Sequence, residues 1–160
     1  MKFLLSLIVA AAILTPAYRL LEAQDLKLTP EEQKNQQIAF VEFHDMLQYG
    51  HLELAEQYMA PGYIQHNPNV PQGRDGFKQF MSRVPGRVPE EIKPEWKNAP
   101  VLTLVNGPYS VMMWDRKAKD PADPGKEYVW NHYDVVRMEG GLIKEHWDEA
   151  VIAAPQAGKK

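Results

Sequence analysis

The hydrophobic pattern of the chain changes its period once, near residue 92. Before that point, apolar residues recur every three or four positions, which predicts helices. After it, apolar and polar residues alternate, and β-branched and aromatic residues accumulate, which predicts antiparallel strands. Helices followed by a meander of strands predict an α+β fold, with the helices covering one face of a curved sheet. The three predicted helices span about 30–48, 51–59 and 75–84, and the four strands are VLTLV, SVMMW, YVWNHYDVVRM and LIKEHWDEAVI.

The first residues have the composition of a secretory signal peptide. A single Lys2 precedes an apolar run over 3–14, and small residues follow. The run is too short to span a bilayer comfortably, and cleavage could follow Ala17 or Ala23; an uncleaved anchor is the alternative. We expect a secreted or periplasmic protein with no membrane span after cleavage. The expected organisation is a signal peptide over 1–23, one domain over 24–150 and a flexible tail over 151–160.

Charge and composition narrow the classes of partner and chemistry. The 160 residues are enough for one domain, and a net charge of -3 argues against a nucleic-acid partner. The absence of cysteine excludes disulfides, thiol chemistry and cysteine zinc sites. We expect no cofactor and no metal. The alternative is a metal site built from His132, His146 and Asp148, with or without His66, although its spacing matches no ligand motif.

The last hairpin contains the strongest group of chemically active side chains, and two registers are open to its turn, EGG. A two-residue turn sets Arg137 opposite Lys144, a like-charge pair that lowers stability. It also sets Tyr133 opposite Asp148, so that a hydrogen bond between tyrosine and carboxylate would form. Asp148 therefore belongs to a polar pair in either register.

A three-residue loop avoids the like-charge pair. It sets Asp134 opposite His146 and His132 opposite Asp148, with all four side chains on one face. At roughly 5 Å between Cβ atoms, two imidazoles and two carboxylates could stabilise each other's charged forms and transfer protons. The alternative is a half-solvated strand pair whose polar side chains simply face water. In this register, the opposite face carries Tyr133, Val135, Ile143 and Trp147.

Three segments, YIQHNP, QGRDGF and DVVRMEGGLIKEHWD, together resemble the SnoaL-like polyketide-cyclase branch of the nuclear transport factor two-like superfamily, over about 33–150. The resemblance implies a cone-shaped α+β fold, in which three N-terminal helices pack on a strongly curved mixed, mainly antiparallel sheet and enclose a cavity for hydrophobic ring compounds. It also implies an Asp on the last strand that acts as general acid/base in an aldol closure without metal or organic cofactor. That position looks like Asp148. Asp134 stands where these cyclases have a His, and His132 or His146 is near enough to substitute.

The resemblance further implies that YIQHNP lies at the mouth of the cavity. His66 would then bind a substrate carbonyl oxygen; the alternative is that HNP only forms a turn before a proline. Aromatic side chains would form a wall for a flat apolar ligand, although core packing uses the same residues. The predicted catalytic residues are Asp148, His132, His66, His146 and Asp134. The predicted substrate-binding residues are Tyr63, Gln65, Asn67, Tyr133, Trp114 and Trp130.

Two functions fit these observations. The first is an exported, cofactor-independent lyase or isomerase for a small hydrophobic carbonyl compound, with Asp148 as the acid/base. The second is a non-catalytic protein of the cell envelope that binds an apolar small ligand in the same cavity. Either protein could be a homodimer through the outer face of the sheet.

Overall fold

The computed structural model describes residues 27–152. The predicted signal peptide over 1–23 and most of the predicted tail over 151–160 lie outside the described residues. Of that tail, only Val151 and Ile152 are described, and both side chains are exposed. Within the described part of the chain, no helix is both long enough and apolar enough to cross a membrane.

The first helix begins where its capping residues predict. Helix α1 spans Pro30–Phe40, and Thr29 caps it by accepting a hydrogen bond from the backbone N–H of Glu32 at 3.2 Å. The Glu32 carboxylate in turn accepts one from the Thr29 backbone N–H at 2.8 Å. The helix continues as a π-helical turn over Val41–Met46, a rare geometry that is frequent at functional sites. This turn buries the Glu42 side chain, which lines an internal cavity.

The second predicted helix is shorter in the structure, and a strand replaces its end. Gly50 stops the first helical segment with a φ of +81°. The later helical elements are a 3-10 turn over Leu52–Leu54, α2 over Ala55–Tyr58 and α3 over Gly73–Met81. The strands are β1 over Met59–Gln65, β2 over Leu102–Asn106, β3 over Tyr109–Lys119, β4 over Glu127–Glu139 and β5 over Leu142–Asp148.

Strand β1 makes the sheet mixed. The five strands have the order β1-β5-β4-β3-β2, and β1 is parallel to β5, with Ile64 aligned to Glu145 and Gln65 to His146. The sequence predicted a helix end and a loop here, because the proline and glycine of MAPGYIQ argue locally against a strand. The α+β class, with helices on one face of a mixed and mainly antiparallel sheet, is confirmed.

The last hairpin has a two-residue turn followed by a bulge, so the predicted three-residue loop is wrong and the two-residue register holds only next to the turn. Glu139 pairs with Leu142. Gly140 and Gly141 have φ of +60° and +78°, as a type I′ turn requires. The register then shifts by one residue, because Lys144 has no partner across the ladder.

The bulge changes which side chains face each other. Arg137 pairs with Glu145 instead of Lys144 and forms an ion pair with it at 2.6 Å, so the like-charge pair does not arise. Asp134 lies opposite Asp148 rather than opposite an imidazole. Both predicted cross-strand His–Asp pairs are therefore wrong as register partners, although the side chains still share one face.

The core lies between the helices and the inner face of the sheet. Ile143, predicted for the outer face, is fully buried because the bulge follows it and leaves it opposite Met138. The largest fully buried apolar side chains are Trp114, Tyr63, Phe77, Met46, Met59 and Met138. The outer face of β2 to β4 instead exposes apolar side chains, among them Leu102, Leu104, Tyr109 and Tyr133.

Candidate active site

A cavity of about 320 Å³ lies between the helical layer and the inner face of the sheet. Aromatic side chains form one part of its wall, and the polar ends of β4 and β5 form another. The aromatic lining comprises Phe43, Tyr63, Phe77, Phe80 and Trp114. Four of the predicted catalytic residues also line it, namely His132, Asp134, His146 and Asp148.

Asp134 is the centre of the polar wall. Its Oδ1 lies 3.0 Å from Nε2 of His146, and its Oδ2 lies 3.2 Å from Nε2 of His132. Burial alone would raise the pKa of Asp134, but the hydrogen bonds from the two imidazoles outweigh burial and lower this pKa to about 2. The carboxylate is therefore ionised above about pH 4.

The two imidazoles bind protons more tightly than a free histidine. The hydrogen bond to Asp134, with a second one to Glu149, outweighs burial and raises the pKa of His132 to about 9. Burial alone would lower the pKa of His146, but the hydrogen bond to Asp134 and nearby carboxylate charges raise it. At neutral pH His132 is therefore an imidazolium beside the Asp134 anion, and the direction of the His146 shift favours its charged form as well.

The hydrogen bonds of Gln65, taken with the ionised Asp134 carboxylate, place a hydrogen on both ring nitrogens of His146. Gln65 Oε1 accepts from the backbone N–H of Asn67 at 2.9 Å, and Gln65 Nε2 donates to the Tyr63 hydroxyl at 3.0 Å. Nδ1 of His146 lies 2.9 Å from the same Oε1, so it must donate. Its Nε2 faces the Asp134 carboxylate and must donate as well. Both ring nitrogens therefore carry hydrogen.

Asp148 is half-buried at the edge of the cavity and is held by two donors. Its Oδ2 accepts from Nδ2 of Asn67 at 2.7 Å, and its Oδ1 accepts from the backbone N–H of Ala150 at 2.9 Å. Each oxygen keeps a further lone pair. Asp148 thus combines a fixed orientation with a free acceptor site in the cavity wall, which a general base needs.

Glu42 is a third carboxyl group in the cavity lining, after Asp134 and Asp148, and the sequence analysis missed it. Its side chain is 1% exposed, and its Oε2 has no hydrogen-bond partner within 27–152. Burial raises its pKa to about 7, so a large fraction is a neutral acid near neutral pH. One signal was present, since Glu42 lies four residues after the buried Ile38 on the apolar stripe, where a charged residue is unusual.

His66 lies outside the cavity, and the prediction that it lines the cavity is wrong. Its ring stacks on Trp147 at 4.5 Å between centroids, and its Nε2 lies 3.0 Å from Oε2 of Glu145. The reason is the alternation of an extended segment: the side chains before and after it, Gln65 and Asn67, both line the cavity. Asn67 therefore reaches Asp148 where His66 was expected.

The predicted substrate-binding residues divide in the same way. Tyr63, Gln65, Asn67 and Trp114 line the cavity. Tyr133 lies on the outer face of β4, where it is 45% exposed, because it alternates with the inward His132 and Asp134. Trp130 is 39% exposed and lies beyond His132, outside the cavity lining. The structure therefore contradicts the placement of Tyr133 and Trp130 at the cavity.

Three side chains could approach a common metal ion. Ligand atoms of Asp134, His146 and Asp148 lie within 4.8 Å of one another. The set differs from the predicted alternative because Asp134 takes the place of His132, and His66 lies on the other face of the sheet. Both nitrogens of His146 are already donors to Gln65 and Asp134, whereas a metal requires a deprotonated imidazole nitrogen. Hydrogen bonding explains this cluster without an ion.

Solved structures share this fold at low sequence identity. A polyketide-cyclase candidate from Acidithiobacillus ferrooxidans has a TM-score of 0.51 at 21% identity, covering 72% of this chain and 86% of that one. A ketosteroid-isomerase candidate from Kribbella flavida has 0.52 at 16%, covering 78% and 85%. An LEH-like epoxide hydrolase of M. tuberculosis has 0.53 at 13%, covering 74% and 84%. These likenesses show the fold alone.

Comparison of the sequence identifies the family. No curated protein sequence matches the chain. The sequence model of the SnoaL-like domain matches residues 40–146, more than half of the 160 residues. The matched range includes the π-helical turn, the cavity and the polar wall up to His146. The chain belongs to the SnoaL-like domain family.

Proposed function

We propose that the protein is a lyase or isomerase that performs acid–base chemistry on a small carbonyl compound, with Asp148 as the base and no organic cofactor. The observation that carries this proposal is the environment of Asp148. Its carboxylate lies in a cavity wall, and Asn67 and the Ala150 N–H fix its orientation. Its neighbour Asp134 is paired with the imidazoles of His132 and His146. The negative charge of Asp134 therefore repels the Asp148 carboxylate less strongly.

The proposed reaction begins with a proton transfer from carbon. An Asp148 oxygen takes the proton from the carbon next to the substrate carbonyl. The electron pair of the C–H bond becomes the C=C π bond, and the π pair of the carbonyl moves onto its oxygen to give an enolate. In an isomerase, Asp148 returns the proton to a different carbon. In an aldol closure, the enolate carbon bonds to a second carbonyl carbon, and the alkoxide formed there takes the proton from Asp148.

Two buried donors are available to the enolate oxygen. The Tyr63 hydroxyl oxygen accepts from Gln65 Nε2, so its own proton can be donated into the cavity. Burial, together with the nearby charges of Glu42, Asp134 and Asp148, raises the pKa of the Tyr63 hydroxyl, so it donates without ionising. The neutral form of Glu42 supplies the second donor. Preorganised donors in a water-poor site stabilise developing negative charge.

The test is deuterium exchange in enolisable cyclic ketones, followed by proton NMR in deuterated water. The wild-type protein should exchange the protons next to the carbonyl, Asp148→Asn should lose this activity by at least 100-fold, and Tyr63→Phe should lose part of it. The matched control is Asp115→Asn, because Asp115 is an exposed carboxylate on β3 whose hydrogen-bond partner within 27–152 is the Asn131 amide. Equal exchange by wild type and Asp148→Asn, or no exchange by either, refutes the proposal.

One observation favours ligand binding without catalysis as the second candidate. The hydrogen bonds of His146 and Gln65 are saturated, which suits a rigid wall as well as a proton relay. Native mass spectrometry of protein from its own host would then show a stoichiometric ligand that the protein retains unchanged. Export stays a prediction, and N-terminal sequencing of the mature protein tests it, since cleavage after Ala17 or Ala23 gives two distinct termini.

A further inference from the structure

We infer that the cavity takes a ligand with an anionic group, a carboxylate in the simplest case, and that the guanidinium groups of Arg87 and Arg116 bind this group. Both arginines line the cavity, from the loop after α3 and from β3 respectively. Within 27–152, neither forms an ion pair with a carboxylate. The inference names the substrate class of the site and rests on the proposed function in taking this cavity as the substrate site.

Other arginines of the described chain show what is unusual here. Arg74 pairs with Glu56 at 2.7 Å, and Arg137 pairs with Glu145 at 2.6 Å. Arg83 lacks a carboxylate partner but is exposed, so water solvates its charge. Arg87 and Arg116 are both partly buried against a cavity. A partly buried guanidinium without an anion is costly, and an anionic ligand removes that cost.

The carboxylates in the cavity lining form no ion pair with either arginine among the described residues. Asp134 already pairs with two imidazoles, and Lys97, a further cation in the lining, pairs with Glu90 at 2.6 Å. Both guanidinium groups line the same cavity; burial and the charge of Arg116 lower the pKa of Arg87, and the charge of Asp134 offsets this only in part. An anion between them would replace repulsion with two attractions.

The surroundings of both side chains fix them but leave donors free. Nη1 of Arg87 donates a hydrogen bond to the backbone carbonyl of Leu47 at 3.1 Å. Arg116 lies over the Trp114 ring, with its Cζ 5.7 Å from the ring centroid, a contact that leaves its in-plane N–H groups unused. A guanidinium has five such donors in a fork that matches a carboxylate. The pair is thus prepared for a planar anion.

This geometry specifies a small oxo acid as the substrate class. The carbonyl group would lie near Tyr63 and Asp148, and the carboxylate near Arg87 and Arg116. The volume of about 320 Å³ is at the small end of the range of roughly 300–1,000 Å³ for ligand pockets. A one-ring or two-ring compound fits such a volume.

Calorimetric titration with paired probes tests the inference. The probes are cyclohexanecarboxylate and 2-naphthoate, each compared with its neutral carboxamide at pH 7 in low salt. We expect each carboxylate to bind at least tenfold more tightly than its amide, and sodium chloride to weaken only the carboxylates. In Arg87→Gln and Arg116→Gln the ratio should fall towards one, whereas the exposed control Arg83→Gln should retain it.

Equal affinities for acid and amide, the absence of carboxylate binding, or a ratio that both cavity variants retain would each overturn the inference. If a variant fails to fold, the salt dependence of the wild type still decides the matter. The titration is repeated with Asp148→Asn to separate this inference from the proposed function. The variant lacks the proposed base but keeps both arginines, so it should retain the preference for carboxylates. If wild type prefers carboxylates but shows no turnover, only the catalytic proposal is refuted. If wild type turns over neutral ketones but shows no preference for carboxylates, only the anion site is refuted.

Discussion

Replacing Asp134 with Asn should destabilise the protein in a way that depends on pH. The pKa of Asp134 is about 2, against an ordinary 3.8, because His132 and His146 donate to it in spite of its burial. This difference corresponds to about 2 kcal/mol of stability. The pKa of His132 is about 9, against 6.5, and corresponds to about 3 kcal/mol. Both values include the cost of burial and describe one interaction, so they cannot be added, and we use the smaller as the lower bound.

The direction of each pKa change sets the pH range in which the Asp134 interactions stabilise the fold. A lowered carboxyl pKa contributes stability above about 4 that is lost as pH falls towards 2. A raised imidazole pKa contributes stability below about 6.5 that is lost as pH rises through about 9. The Asp134 contribution is therefore complete between pH 4 and 6.5. The free energy of unfolding of wild type should exceed that of Asp134→Asn by about 2 kcal/mol at pH 5.5, and by much less at pH 9.5.

Urea unfolding followed by tryptophan fluorescence measures this difference at both pH values. Asp115→Asn is the matched control, because it removes an exposed carboxylate from the neighbouring strand that no imidazole contacts. Its stability difference from wild type should stay within about 0.5 kcal/mol at both pH values. A difference for Asp134→Asn that is the same at pH 5.5 and 9.5 would show that the charge network of the polar wall does not exist as described.

Substitutions elsewhere test the cavity, a close backbone contact and the outer face. Glu42→Gln should gain stability relative to wild type as pH rises from 4 to 8, by up to about 3 kcal/mol, because burial raises the wild-type pKa from 4.5 to about 7; an unchanged difference in urea midpoint would contradict this. Gly50→Ala should lower the free energy of unfolding in urea clearly more than Gly86→Ala. Both glycines have a φ of +81°, but only a Cβ at Gly50 would lie 2.4 Å from the Val88 carbonyl oxygen. Equal losses of stability would refute the contact. The homodimer stays a prediction: light scattering should give the mass of two chains, and Leu104→Glu on the exposed outer face should halve it, whereas a monomeric wild type would reject it.

Features of the fold that depend on neighbouring residues were predictable from the sequence. The capping box of Thr29 and Glu32 defines the start of α1 without reference to the rest of the chain. The alternation in β3 and β4 likewise predicts both strands and their antiparallel pairing. Strand β1 was missed because its stability comes from a parallel partner, β5, that lies about 80 residues later. Local composition carries no information about such a partner.

The candidate site was predictable as a set of residue types but not as a set of contacts. Alternation along β4 correctly placed His132 and Asp134 on one face, and no register error of the hairpin could separate them. Their partners depend on the bulge at Lys144, which sets Asp134 opposite Asp148. A bulge of one residue reverses the facing of every later side chain. The sequence showed only the like-charge conflict that the bulge removes.

The same parity argument explains why the cavity uses Asn67 instead of His66. Once β1 is parallel to β5, with Gln65 aligned to His146, the inward position of Gln65 forces the next side chain outwards and the following one inwards. The three polar residues of YIQHN therefore cannot act together. Gln65 and Asn67 orient His146 and Asp148, while His66 covers Trp147 on the outer face. Strand pairing thus decides which side chains of this segment reach the cavity. A His66→Ala variant should leave the rate of deuterium exchange within about twofold of wild type. Asn67→Ala should reduce that rate, because it removes a donor that orients the proposed base Asp148.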